Sequence, residues 1–216
     1  MKRPRLLLAD EHQMVREGLQ RILEPEFEVV GEAGDGRSLL LAAQRLRPDV
    51  ALLEITMPLL NGIDAARQLR KLCPHTKLIF LTAHAGREYA IEAFRAGAAG
   101  FVLKRSKPEE LLGAVRAAFQ GKHYLSPDAG LSLAEVLREA RHAGPEKPPL
   151  TPRQREVLQL VAEGRSNKEV ATILNISLKG VEFHKSALAR KLGTNRISEW
   201  TLYAIGQGLV FRSRGG

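Results

Sequence analysis

Five short apolar runs, each followed by a helical stretch, fill residues 1–122 and constrain the fold more than any other feature of the chain. The runs cover residues 6–9, 27–30, 50–55, 78–82 and 100–103. After the first, Met14, Val15, Gly18, Leu19, Ile22 and Leu23 recur at helical spacing. The later helical stretches are residues 38–46, 63–72, 88–96 and 108–119. Pro48 and Pro58 bracket the third run, Pro74 lies past the third helix, Gly97 closes the fourth, and Pro108 opens the fifth with Gly121 behind it. Strands that are apolar almost throughout, with a helix between each pair, imply a parallel sheet covered on both faces. Right-handed crossovers make it an α/β doubly wound five-stranded parallel sheet.

In such a fold, chemistry gathers at the carboxyl ends of the strands. Asp10 and Glu11 follow the first run, Glu54 lies at the end of the third, Thr82 ends the fourth, and Lys104 follows the fifth. Three carboxylates in one crevice repel one another and favour a hard divalent cation such as Mg2+. Lys104 offers a fixed positive charge to a phosphoryl oxygen. The Thr82 hydroxyl is placed to reach the same oxygen.

Residues 150–193 have a different pattern. They read as three short helices joined by tight turns, followed by an all-α continuation at residues 198–207. Thr151 and Pro152 form a helix start, with a hydroxyl cap and then proline in the first turn. Val157, Leu158, Leu160 and Val161 give that helix a buried face, and Gly164 ends it. Ser166 or Asn167 caps the second helix, whose Val170, Ala171 and Leu174 face inward. Asn175 makes the turn, Ser177 opens the third helix and Gly193 closes it, with Val181, Ala187 or Leu188, and Leu192 as core. This leaves Lys179, Glu182, Phe183, Lys185, Ser186, Ala189 and Arg190 outside the core stripe, so the exposed face is basic and suits a DNA groove. The fourth helix carries Trp200, Leu202, Tyr203 and Ile205; Trp200 either packs on its own domain or joins an exposed pairing surface.

Residues 123–149 are expected to connect the two regions, through a short amphipathic helix at 131–141 (Leu133, Val136 and Leu137 on one side) and a semi-rigid linker at 143–149 containing Pro145, Pro148 and Pro149. The expected domains are therefore 1–122, 123–149 and 150–216. Their net charges are +4, −1 and +6 of the chain's +9, so the smallest globular piece holds most of the basic excess and fits a polyanion surface. Cys73 is the single cysteine, which excludes an intrachain disulfide and fits a reducing cytosol. No apolar run approaches the roughly 18–20 residues of a membrane span. The 6–9 run is too short for a signal-peptide core, so the expected location is cytoplasmic, with no membrane partner.

The stretches LLLADEH, DVALLEITMPLLNGID, IFLTAH and GAAGFVLK make residues 5–121 resemble a flavodoxin-like receiver domain of bacterial two-component response regulators. Residues 150–210 resemble the LuxR-type helix-turn-helix, and the pair in this order is similar to the NarL/FixJ family of response regulators. The resemblance implies a non-enzymatic, DNA-binding transcription regulator of a phosphorelay. Its partners would be double-stranded DNA, a sensor histidine kinase and a second copy of the chain. Asp10, Glu11, Glu54 and the Thr56 carbonyl would hold Mg2+. Thr82 would be the switch hydroxyl, Phe101 the switch aromatic that rotates inward, and Lys104 the phosphoryl contact. Glu182, Phe183 and Ser186 would face bases, and Lys168, Lys179, Lys185 and Arg190 phosphates; Gly180 stands where the family usually has Thr.

The resemblance also implies that Glu54 stands where the family carries its phospho-accepting Asp. One extra methylene moves the carboxylate outward by roughly 1.5 Å, the length of a C–C bond. A misplacement near 1 Å can cost on the order of 100-fold in rate. Glu54 is compatible with a phosphomimetic receiver, with one that works without phosphorylation, and with an engineered exchange. A Mg2+-dependent phosphohydrolase with Asp10 as nucleophile is a rival, although it would need an aspartate where His12 stands. A receiver acting only as a protein-interaction module is another. A dinucleotide site at residues 31–36 has the wrong glycine order and follows the second strand.

Overall fold

The computed structural model describes residues 3–142 and 150–210; the proline-rich linker expected at 143–149 lies outside the described residues. The chain divides into two compact units, one built on the sheet and one on the helices that follow residue 150.

In the first unit, β1 (Arg5–Ala9), α1 (Gln13–Leu23), β2 (Glu28–Ala33), α2 (Gly36–Leu46), β3 (Val50–Leu53), α3 (Gly62–Leu72), β4 (Lys77–Thr82), α4 (Arg87–Arg95), β5 (Gly100–Leu103) and α5 (Pro108–Phe119) alternate as the apolar runs require. The strands lie in the order β2-β1-β3-β4-β5-β6 and every pair is parallel. Successive strand residues face opposite sides. Leu6, Leu8, Val50, Leu52, Ile79, Leu81 and Val102 share one core with Leu111, Ala114, Val115 and Ala118 of α5. The alternate residues Leu7, Ala51, Leu53, Phe80 and Phe101 are equally buried on the other face.

The sixth strand, β6 (Tyr124–Leu125), goes beyond the five-stranded expectation. It is held by Tyr124 N–H donating to the Ala99 carbonyl and Ser126 N–H to the Phe101 carbonyl. Two residues ending ahead of Pro127 make no apolar run, so pairing with β5 defines this strand and periodicity does not. The helix expected at 131–141 is α6 (Leu133–His142). It packs against α4 through the fully buried Val136, and Arg87 of α4 pairs with Glu135 (3.6 Å) and Glu139.

The second unit contains α7 (Pro152–Ala162), α8 (Asn167–Leu174), α9 (Leu178–Leu192) and α10 (Ile197–Gly206). Its core joins Leu150, Val157, Leu158, Leu160, Val161, Val170, Leu174, Val181, Leu188, Trp200 and Ala204. The starts of α7, α8 and α9 are each specified by a hydroxyl cap. Thr151 forms a capping box with Gln154, Ser166 forms one with Glu169, and the Ser177 hydroxyl accepts the Gly180 N–H. Asn175, at φ 51°, makes the left-handed turn between α8 and α9. Leu188, rather than Ala187, is the fully buried core residue of α9. No helix among the described residues is long and apolar enough to cross a membrane.

Replacing Thr151 with Ala removes one half of the α7 capping box. It is expected to lower the stability of the second unit by about 1 kcal/mol. Trp200 is the chain's one tryptophan and lies in this core, so its fluorescence reports the unfolding midpoint in urea. An unchanged midpoint would mean that the cap contributes nothing.

Candidate functional site

Strand register places the acidic cluster. Ala9 of β1 pairs with Leu53 of β3, and the Glu54 N–H donates to the Ala9 carbonyl at 2.9 Å, so Asp10 and Glu54 emerge side by side. On the far side of β3, Thr82 pairs with Leu103, and the Lys104 N–H donates to the Thr82 carbonyl at 2.8 Å. The neighbours β1 and β3 lie where the chain direction across the sheet reverses, the place at which a doubly wound sheet opens a crevice. Gly62 at the start of α3 lets that helix approach β3 closely: a Cβ there would lie 2.0 Å from the Glu54 carbonyl oxygen.

The Lys104 ammonium sits between two buried carboxylates, 2.5 Å from Asp10 Oδ2 and 2.8 Å from Glu54 Oε2. The other oxygens are also engaged: Asp10 Oδ1 accepts the His12 N–H at 3.0 Å, and Glu54 Oε1 accepts the Ile55 N–H at 2.6 Å. Burial by itself would lower the Lys104 pKa. Glu54 and Asp10 outweigh it and hold the ammonium above the usual lysine value. Glu11 is raised above the usual carboxylate range, chiefly by burial and further by Asp10 and Glu54. Its Oε2 is buried without a hydrogen-bond partner.

Asp10, Glu11 and His12 bring three potential ligand atoms within 4.8 Å of one another. One ammonium against three carboxylates leaves an excess of negative charge, and the orphaned Glu11 oxygen is a donor site that a cation would satisfy. Of the residues named from sequence, Asp10, Glu54 and Lys104 are thus in direct contact. The fully buried Thr82 hydroxyl accepts the His84 N–H at 3.2 Å, and Phe101 is fully buried. Thr56 Oγ1 lies 3.1 Å from His84 Nε2.

Two histidines join the site that the sequence reading did not assign to it. His12 Nδ1 lies 3.3 Å from both Asp10 Oδ1 and Glu11 Oε1. His84 is lowered in pKa by burial, against the opposing pull of Glu54, and its ring lies 5.1 Å from that of Tyr89. Their signal in the sequence was position alone, two residues beyond Asp10 and two beyond Thr82. Cys73 is a buried free thiol.

On α9, Lys179, Glu182, Phe183, Ser186 and Arg190 are exposed, as is Lys168 on α8. Lys185 is half-buried and donates to Asn167 Oδ1 at 2.9 Å, which ties α9 to the start of α8. Trp200 is 2% exposed, and its indole N–H donates to the Thr194 carbonyl at 2.8 Å. It therefore packs on its own domain, and Ile197 and Leu202 provide the exposed apolar surface of α10.

Residues 6–116 match the family described as the response regulator receiver domain, and residues 148–204 match the bacterial regulatory proteins of the luxR family. The chain belongs to the NarL/FixJ-type response regulators. It is a DNA-binding response regulator of two-component signalling. The transcriptional regulatory protein LiaR of Bacillus subtilis (strain 168) is 37% identical over 211 residues, covering 95% of this chain and 99% of LiaR. The nitrate/nitrite response regulator protein NarP of Escherichia coli (strain K12) is 37% identical over 204 residues, covering 92% of this chain and 93% of NarP. Among solved structures, the RcsB response regulator of Salmonella typhimurium superposes with a TM-score of 0.62 at 26% identity, over 94% of this chain and 97% of RcsB. RcsB has also been solved bound to a promoter in the presence of phosphomimetic BeF3−, with a TM-score of 0.56 at 27% identity over 96% of this chain and 98% of that one.

Removing the ammonium from this response regulator leaves two buried carboxylates facing each other. Lys104→Ala is expected to destabilise the first unit by about 3 kcal/mol, the low end for a broken buried pair, because the lysine keeps some contact with water. Calorimetric melting of the full chain measures this. A shift confined to the second unit would contradict it.

Proposed function

We propose that this response regulator is a cytoplasmic, homodimeric, sequence-specific transcription regulator in which Glu54 occupies the phospho-acceptor position as a fixed, partial substitute for a phosphorylated aspartate. In this reading residues 1–122 are the receiver, 123–149 the connection and 150–216 the DNA-binding domain. The observation that carries the reading is the placement of the Glu54 carboxylate: it is buried, ion-paired to Lys104 and bonded to the Ile55 N–H. With both oxygens engaged, it is a poor nucleophile toward a phosphodonor. It presents a permanent negative charge to the lysine that would otherwise meet a phosphoryl group. The fully buried position of Phe101 supports the same state, the inward one for a switch aromatic. One carboxylate carries a single charge against about −1.5 to −2 for a phosphoryl group, so the mimicry is partial.

Asp10, Glu11, Glu54 and the Thr56 carbonyl would hold Mg2+, the hard oxygen donors that ion prefers. The ion, when bound, supplies positive charge against the excess of carboxylates and orients phosphoryl oxygens. The chain's own residues do the rest: Asp10 keeps Lys104 charged and placed, and Thr82 and Phe101 report its position to the sheet. A sensor histidine kinase remains a docking partner, with phosphoryl transfer to Glu54 slow. Lys168, Lys179, Lys185 and Arg190 hold DNA phosphates while Glu182, Phe183 and Ser186 face bases. Ile197 and Leu202 on α10 pair two copies over a two-fold site. RcsB bound to a promoter with a phosphomimetic present is the relative whose described state this reading transfers to the present chain.

Glu54→Asp is expected to label with acetyl phosphate in Mg2+ about 100-fold faster than the Glu54 chain. Equal labelling would overturn the substitution argument. Glu54→Gln should weaken operator binding by the full chain, and unchanged occupancy would remove the mimic. Saturating Mg2+ is expected to raise the melting temperature of the first unit, since a ligand that binds only the folded state stabilises it. Glu11→Gln should abolish most of that rise, and an undiminished rise would place the ion elsewhere.

A further inference from the structure

Phe183 is the one residue on the exposed face of α9 whose presence neither charge nor packing explains. Its side chain is 65% exposed and lies outside the core of the second unit. Its ring meets that of His184 edge-on, at 5.5 Å between centroids. A single exposed apolar residue is ordinary on a protein surface. This one sits in the middle of a polar stripe. Lys179, Glu182, Phe183, Ser186 and Arg190 fall at i, i+3, i+4, i+7 and i+11, which is one face of the helix.

The ends of that stripe are cations. At about 1.5 Å of rise per residue, Lys179 and Arg190 are roughly 16 Å apart along the axis. The major groove is about 12 Å wide. Cations at that separation reach the phosphates at the groove edges, and the middle of the stripe faces the groove floor. The floor presents donors, acceptors and one apolar group, the C5-methyl of thymine.

A second observation concerns Gly180. Helical side chains lean toward the N-terminus, so Phe183 covers the surface over Lys179 and Gly180. Glycine weakens a helix, and nothing in the fold demands it here. A Cβ at 180 would meet Ile176 and Ser177 at an ordinary 3.5 Å, and the backbone is not left-handed. The position of the missing side chain faces Ile176 and Ser177 in the turn that opens α9.

We infer that Phe183 reads a thymine in each half-site of the operator by covering its C5-methyl. The inference rests on the reading of α9 as the groove-facing helix and adds a specific base contact to it. Leu178 is also exposed but falls off the stripe, and Ile197 and Leu202 belong to α10.

The test uses the full chain and a duplex selected from random DNA, with each thymine replaced in turn by deoxyuridine, which lacks only the methyl. Loss of one buried methyl is worth about a four-fold change in affinity. One thymine per half-site is expected to show that loss, at about 50 mM and about 200 mM salt alike, because no phosphate contact changes. Phe183→Ala should bind the unmodified duplex more weakly and show no further loss with deoxyuridine. Phe183→Leu should keep part of the sensitivity. The side chain is exposed, so neither variant disturbs the core. Deoxyuridine tolerated at every position would overturn the inference, and so would equal sensitivity in Phe183→Ala. Failure of the chain to select any duplex would remove the groove-facing reading itself, and the thymine contact with it.

Discussion

A single ammonium shared by two carboxylates organises the first unit. Lys104, Asp10 and Glu54 come from the ends of three strands, and none of the three could be buried alone at tolerable cost. Their pairing fixes the relative positions of the β1–α1, β3–α3 and β5–α5 turns. Glu11 extends the same problem: its carboxyl is crowded by Asp10 and Glu54, and one of its oxygens has no partner. The pocket is therefore both a structural clasp and an electrostatically unfinished site. That combination is what a signalling pocket requires, since a group already satisfied in every respect would not respond to a ligand.

The second unit is built by different means. Its core is apolar, and its polar residues cap helices or tie them together: Trp200 bonds the Thr194 carbonyl, Lys185 bonds Asn167, and Arg153 pairs with the buried Glu156 and bonds the Leu174 carbonyl. Lys168, Lys179 and Arg190 stay exposed. A small helical body held mainly by an apolar core can change its surface chemistry at little cost to its fold.

Much of this was legible in the sequence, for identifiable reasons. The strands of the sheet are apolar on both faces, so their runs stand out, and a strand end can be read from the first charged residue after the run. This is why the sequence alone brings Asp10, Glu54 and Lys104 together. The strand β6 was not legible, because two residues carry no periodicity and only the Ala99 and Phe101 carbonyls define it. Side-chain torsions are likewise absent from a pattern of residue types. Nothing in the sequence tells that Glu54 turns one oxygen back to the Ile55 N–H. Position suggested Thr82 at the strand end, but not that its hydroxyl oxygen accepts the His84 N–H. Trp200 was undecided because an aromatic at helical spacing suits a core and an interface equally well.

The close approach at Gly62 has a consequence for how this pocket can vary. With the α3 backbone pressed against the carbonyl of residue 54, that peptide has no freedom to retreat when the side chain above it lengthens. The extra carbon of a glutamate must then be taken up by the side chain itself, which here reaches Lys104 with one oxygen and turns the other back to the Ile55 N–H. A family member with this geometry can retune its pocket only through the atoms beyond Cβ, and a one-carbon exchange becomes a coarse adjustment.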